Sequence, residues 1–103
     1  MSSLYLEHAK VFKAFCDDNR LRILELLRDG EKCACVLIDH LKIKQSALSY
    51  HMKILVESGV VESRQDGKWI HYRISKKGSD YATSLLKELT TPTLIEKDIC
   101  YKS

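Results

Sequence analysis

The 103-residue sequence holds no apolar run that approaches the length of a membrane span. Its opening residues, MSSLYLEHAK, lack the basic start and long apolar stretch of a secretory signal. Both absences lead to the expectation of a cytoplasmic protein with no membrane partner. Internal repeats and low-complexity segments are missing, which removes solenoid and linker architectures. No Gly-rich phosphate loop is present and no general base is positioned by spacing, so the sequence speaks against an enzyme. Cysteine is limited to four residues. In a reducing compartment these are free thiols, ligands or redox sensors rather than structural disulfides.

What remains is a chain of single-domain length with globular values of 45% apolar and 30% charged residues. A domain of this size buries only about 65% of its unfolded surface, so pairing with a second copy would help it. The formal net charge of +3 is unevenly placed. Residues 42–77 hold eight Lys/Arg against three acids, a basic surplus in the middle of the chain. Such a surplus suits a polyanion-binding face, although a merely solvated surface would look the same.

Apolar periodicity predicts a helix over 3–16, from Leu4, His8, Val11, Phe12 and Phe15. Asp17, Asp18 and Asn19 offer an N-cap for a second helix with a broad leucine face, closed by Gly30 as C′ residue. A short third helix fits Ala34–Leu41, followed by the tight connection Lys42-Ile43-Lys44. A fourth runs from Gln45 to about Ser58, with Leu48, Met52, Leu55 and Val56 as its buried stripe. Val60–Gln65 and Lys68–Ile74 flank Asp66-Gly67, a pair that favours a type I′ hairpin turn. A last helix spans about 77–90 and is ended by Pro92. The fold class is therefore mainly α with a β-hairpin: a winged helix-turn-helix in the order α-α-α-α-β-β-α. Residues 1–90 are expected to form the DNA-binding and dimerisation domain, and residues 91–103 a polar, flexible tail.

In helix-turn-helix proteins the second helix enters the major groove, and its N-terminal residues reach base edges. Here those residues are Lys44, Gln45, Ser46, Ser49, Tyr50 and Lys53. Gln45 suits bidentate pairing with adenine, the serines suit phosphate or base edges, and Lys53 suits phosphate. Arg64 and Lys68 flank the hairpin tip and suit the neighbouring backbone or minor groove. The bland alternative is an ordinary amphipathic surface helix.

The CxC pair Cys33/Cys35, the segment QSALSYHMKILVESGVV and the wing DGKWIHYRI together resemble the ArsR/SmtB family of metal-responsive bacterial repressors. Within it the arsenical-resistance operon repressors are the most similar. The likeness runs from Leu4 to about Leu89. It implies a homodimer joined through the first and last helices, double-stranded operator DNA as partner, and release of that DNA when a metal or metalloid binds. It also implies that Cys33 and Cys35 bind a soft ion, with As(III) or Sb(III) as the inducer and another thiophilic metal as an alternative. Some arsenic sensors carry a third cysteine three residues after the second. Ile38 stands there, which leaves Cys100 as the favoured third ligand and Cys16 as a weaker one. Other members bind zinc between their last helices through histidines and carboxylates. Segment 79–92 has Asp80 and Glu88 but no histidine, so that site is not expected.

Residues i and i+2 do not share a face of a regular helix. Both thiols meet one ion only if Cys33 lies outside the helix or the first turn distorts. Two competing functions keep the DNA binding and change the signal: oxidation or persulfide formation at the thiols, and response to cadmium, lead or zinc. The bland alternative for the thiols is two small, weakly polar, semi-buried side chains.

Overall fold

The computed structural model describes residues 3–93. The chain runs α1 (Leu4–Lys13), α2 (Asp18–Leu27), β1 (Lys32–Cys33), α3 (Ala34–Leu41), α4 (Gln45–Glu57), β2 (Val61–Asp66), β3 (Trp69–Ile74) and α5 (Lys76–Thr90). Local chemistry sets these boundaries. Ser3 Oγ accepts from the Leu6 N–H at 3.1 Å and starts α1. Asp17 accepts from the Asn19 and Arg20 N–H groups at 2.9 and 3.2 Å and starts α2. Ser75 accepts from the Gly78 N–H at 3.0 Å and starts α5. Lys42 takes the left-handed conformation at φ 58° and bends the chain from α3 into α4. Gly59, at φ 85°, follows α4.

Four details depart from the sequence reading. α1 ends at Lys13, three residues short of the expected end, so Phe15 and Cys16 lie in the turn before the Asp17 cap of α2. α2 ends at Leu27, so Gly30 (φ 136°) lies in the following turn instead of closing the helix. The buried side of α4 is Leu48, His51, Met52, Ile54 and Leu55, while Val56 is exposed. The hairpin is shifted by one residue: Asp66 pairs with Trp69, so Gly67 and Lys68 form the turn. Positive φ falls on Gly67 alone, which excludes type I′ and fits the glycine-first type II′ turn.

The addition is β1. Lys32 pairs with Tyr72 and Cys33 with His71, antiparallel, which gives a three-stranded sheet in the order β1-β3-β2. The main core gathers Ile23, Leu27, Leu37, Leu41, Leu48, Met52, Leu55, Val61 and Tyr72, and so joins α2, α3, α4 and the sheet. A second cluster of Val11, Val60, Ala82 and Leu85 joins α1 to α5. Outside these clusters, Leu4, Tyr5 and Leu6 of α1 and Tyr81, Leu86 and Leu89 of α5 remain exposed. Among the described residues, no helix is long and apolar enough to cross a membrane.

Gly78 sits in the first turn of α5 against the backbone of Gly59, and a Cβ there would overlap the Gly59 carbonyl oxygen. The contact fixes α5 on the end of α4. Gly78→Ala is expected to destabilise the protein by about 1–3 kcal/mol through overpacking. A urea melt should show a lower midpoint with an unchanged slope.

Candidate nucleic-acid interface and thiol site

α4 divides its surface sharply. Leu48, Met52 and Leu55 are in the core, while Lys44, Gln45, Ser46, Ser49, Tyr50 and Lys53 are all exposed. Neither α3 nor α4 has a side-chain cap, so the first N–H groups of α4 remain open at its exposed end. The basic surplus is only partly spent within the protein. Arg64 pairs with Glu31, Arg73 with Glu62 and Lys76 with Asp80. Lys44, Lys53 and Lys68 make no ion pair among the described residues; Lys44 is the N-cap of α4, Lys53 lies two turns further along its exposed face, and Lys68 shares a cleft with Gln45 and Ser49.

A buried polar network holds this helix in place. Arg20 is 5% exposed. Its guanidinium bonds the Lys13 carbonyl at 3.1 and 3.3 Å, closing the end of α1, and reaches His51 Nδ1 on α4 at 3.0 Å. An arginine can only donate, so His51 accepts at Nδ1 and carries its proton on Nε2. Asp17, the α2 cap, lies 3.8 Å from the same Nδ1. His51 is therefore a framework residue of α4.

The two wing residues singled out from sequence behave differently. Lys68, in the turn, lies 5.7 Å from the Trp69 ring centroid. The Arg64 guanidinium instead turns across the sheet and donates to both Glu31 oxygens at 2.7 and 3.2 Å. This holds the Glu31 carboxyl below its usual range. Glu31 directly precedes β1, so Arg64 clamps the segment carrying the cysteines to the far strand of the wing.

Cys33 lies outside α3, as its N-cap in extended conformation (φ −71°, ψ 148°), and Cys35 is in the first turn. That arrangement meets the condition for convergence. The Cys35 thiol donates to Cys33 Sγ at 2.9 Å. Sulfurs bound to one centre with bonds near 2.3 Å lie within about 4 Å of each other, so the pair is spaced to share an ion. The contact from Cys35, aided by the Cys35 and Val36 backbone N–H groups, holds the Cys33 thiol below its ordinary range. The same contact pushes the Cys35 thiol up. Cys33 is the half-buried member of the pair and Cys35 the exposed one.

Among the described residues, no group of three or more His, Cys, Asp or Glu is placed to hold a metal ion. The donor set therefore fits a soft ion through two sulfurs. Cys16 lies between α1 and α2, is exposed, and its thiol donates to the Phe12 carbonyl of α1 at 3.3 Å. Cys100 lies outside the described residues.

Cys35 and the exposed face of α4 meet in one cleft of about 230 Å³, which Cys33 does not line. Cys35 and Ile38 line it from α3, Gln45 and Ser49 from α4, and Lys68 and Trp69 from the wing. Sequence reasoning missed this junction because it missed β1. A two-residue strand carries no periodicity, and the only available signal was the position of Cys33 just ahead of a helix with no capping side chain.

The model of bacterial regulatory proteins of the arsR family matches residues 17–63. The arsenical resistance operon repressor of Staphylococcus xylosus is 38% identical over 87 residues, which cover 84% of this chain and 84% of that protein. The crystal structure of a possible transcriptional regulator for arsenical resistance superposes with a TM-score of 0.71 at 28% identity, covering 81% of this chain and 86% of that one. A solution NMR structure of a homodimeric winged helix-turn-helix DNA-binding domain from Mycobacterium bovis superposes with a TM-score of 0.67 at 28% identity, covering 84% and 80%.

The hydrogen bond between the thiols predicts an order of reactivity. Iodoacetamide at neutral pH should alkylate Cys33 ahead of Cys35, as peptide mass mapping would record, because the thiolate is the nucleophile. Cys35→Ala removes the donor, so the Cys33 pKa should rise and its alkylation at neutral pH should slow. Equal alkylation rates for the two thiols would contradict the assignment.

Proposed function

Because this chain belongs to the arsR family of bacterial regulatory proteins, we propose that it is a cytoplasmic, homodimeric repressor that leaves its operator when Cys33 and Cys35 capture As(III) or Sb(III). The observation that carries this reading is the 2.9 Å approach of two thiols, one of which is backbone-paired to the wing. Thiolate sulfur is the preferred ligand of soft centres. Drawing both sulfurs onto one ion moves Cys33 relative to the first turn of α3. The β1–β3 pairing and the Glu31–Arg64 clamp pass that movement to the wing.

On DNA, the exposed end of α4 enters the major groove. Gln45 reads a base, Ser46, Ser49 and Tyr50 position the helix, and Lys44 and Lys53 neutralise phosphate. Its open N–H groups add a phosphate site. Lys68 supplies the wing's phosphate contact, while Arg64 acts mainly through Glu31. The apolar residues left exposed on α1 and α5 are covered by the second copy, in keeping with the homodimeric Mycobacterium bovis domain. Residues 1–90 form the DNA-binding and dimerisation unit, and Cys100 serves as a third sulfur where the ion takes three.

A second reading is thiol oxidation, favoured by the lowered pKa of Cys33. Titrating the operator complex with arsenite, antimonite, cadmium, lead, zinc and peroxide separates the signals. Ion-driven release with sulfur-to-metal absorption supports ligation. Release by peroxide alone, with loss of free thiols, supports oxidation.

Mutation tests both halves of the proposal. The double variant Cys33→Ser/Cys35→Ser should bind operator normally and ignore arsenite, and release that survives it would sink the sensor site. Cys100→Ser should need more arsenite, and Cys16→Ser should respond nearly normally. Lys53→Ala and Lys68→Ala should each flatten the salt dependence of DNA affinity by about 0.9 in the log–log slope. Gln45→Ala should instead relax preference at one base pair, by about 1–3 kcal/mol. An unchanged operator affinity in all three would place the DNA face elsewhere.

A further inference from the structure

Among the described residues, Arg20 is the one arginine, lysine or carboxylate that the fold buries. Desolvating a guanidinium is costly, and apolar side chains of similar volume often fill such a corner with equal or greater stability. What the arginine adds is direction. Its planar fork holds acceptors at fixed angles. Nε and Nη2 donate to the carbonyl of Lys13, the last residue of α1, at 3.3 and 3.1 Å. Nη1 donates to His51 Nδ1, on the buried side of α4, at 3.0 Å. The Asp17 carboxylate, 3.8 Å from that nitrogen, is committed to the Asn19 and Arg20 N–H groups as the cap of α2. One side chain of α2 therefore ties α1 to α4. Apolar contacts keep helices together without fixing their angle, whereas these three hydrogen bonds are directional.

The two tied helices face outward to different partners. α1 packs on α5 through Val11, Ala82 and Leu85 and leaves Leu4, Tyr5 and Leu6 exposed, the face given above to the second copy. α4 turns Gln45, Ser46 and Ser49 outward, the residues given above to DNA. We propose that Arg20 is a positioning residue for operator recognition: it fixes the angle between α1 and α4, and so sets the half-site spacing that the dimer accepts. This rests on the reading of α1 as part of the dimer interface and of α4 as the reading helix. Half-sites read by a dimer lie one helical turn, about 10 bp and 34–36 Å, or a multiple apart. One extra base pair moves a half-site by about 3.4 Å and turns it by roughly 35°. Reading helices carried rigidly on the dimer helices cannot follow that turn, and loosely carried ones can.

The test uses the full chain. The wild type selects its operator from randomised duplexes, and the selected duplex is remade with one base pair added or removed between the half-sites, and as a single half-site. Wild type, Arg20→Lys, His51→Met and His51→Asn are compared for affinity to each duplex, for dimer dissociation by sedimentation and for folding by urea melt. The wild type is expected to prefer the selected spacing by about tenfold, an ordinary size for coupling between sites. Arg20→Lys keeps the charge and loses the fork, and His51→Met fills the space without an acceptor. Each should cut the spacing preference by about threefold or more while half-site affinity and dimer dissociation stay within about twofold of wild type. His51→Asn places Oδ1 where Nδ1 stood and should keep the preference. Folded, dimeric Arg20→Lys and His51→Met with wild-type spacing preference overturn the proposal. So does an equal loss of affinity for the half-site and the full operator, because Arg20 would then only hold α4 together. If Arg20→Lys does not fold, His51→Met decides by the same criteria, since it leaves both bonds to Lys13 in place. A wild type without spacing preference also overturns the proposal. Failure of the DNA-face reading shows separately, as unchanged operator affinity in Lys53→Ala, Lys68→Ala and Gln45→Ala.

Discussion

The antiparallel pairing of Lys32-Cys33 with His71-Tyr72 is the constraint on which the rest of the site depends. It takes Cys33 out of the helix that carries Cys35, and this lets two side chains two residues apart converge to 2.9 Å. The same pairing makes the cysteine segment an edge strand of the wing. Without it Cys33 would extend α3, the thiols would point to different sides, and Glu31 would not reach Arg64. One short stretch of backbone hydrogen bonding thus determines thiol geometry, thiol acidity and the connection to the wing together.

The other side of the site is rigid. Arg20, His51, Asp17 and the Lys13 carbonyl tie α4 to the corner between α1 and α2. Breaking a buried charged network leaves an unpaired arginine, which is costly. Leu48, Met52 and Leu55 add full burial. With α4 held, the proposed signal would act through β1, the first turn of α3 and the exposed wing tip. That proposal places the moving part next to the helix proposed to read DNA and leaves the helix itself in register.

Most of the architecture was legible in the sequence because long periodic segments report their own burial. Leu48, Met52 and Leu55 define α4, and Ala34–Leu41 is recovered with its boundaries unchanged. The failures have physical causes. Asp66-Gly67 suggested a I′ turn, but pairing of Val61 with Ile74 fixes a register in which Gly67-Lys68 is the turn. Val56 looked like core by spacing, yet His51 takes the interior position because Arg20 supplies its partner. The Glu31–Arg64 pair was not legible either, because only the fold brings Glu31, thirty-three residues away, onto Arg64. The exposed α4 residues and the thiol pair were found from residue type and order. The cleft that joins them was not, since it is made by three elements distant in sequence.

β1 has only two register pairs, and that brevity sets a scale for signalling. A ladder this short is worth on the order of 1–3 kcal/mol net, taking roughly one backbone hydrogen bond per pair. An energy of that size corresponds to roughly a 5- to 150-fold change in affinity between coupled sites. The strand therefore works like a fuse with a chosen rating. On the proposed mechanism, a longer ladder would hold the wing against a captured ion and leave a repressor deaf to its inducer. No ladder at all would let the wing wander in the absence of any signal, and genes under its control would leak. Under that proposal, threshold and background are both written into the length of one strand.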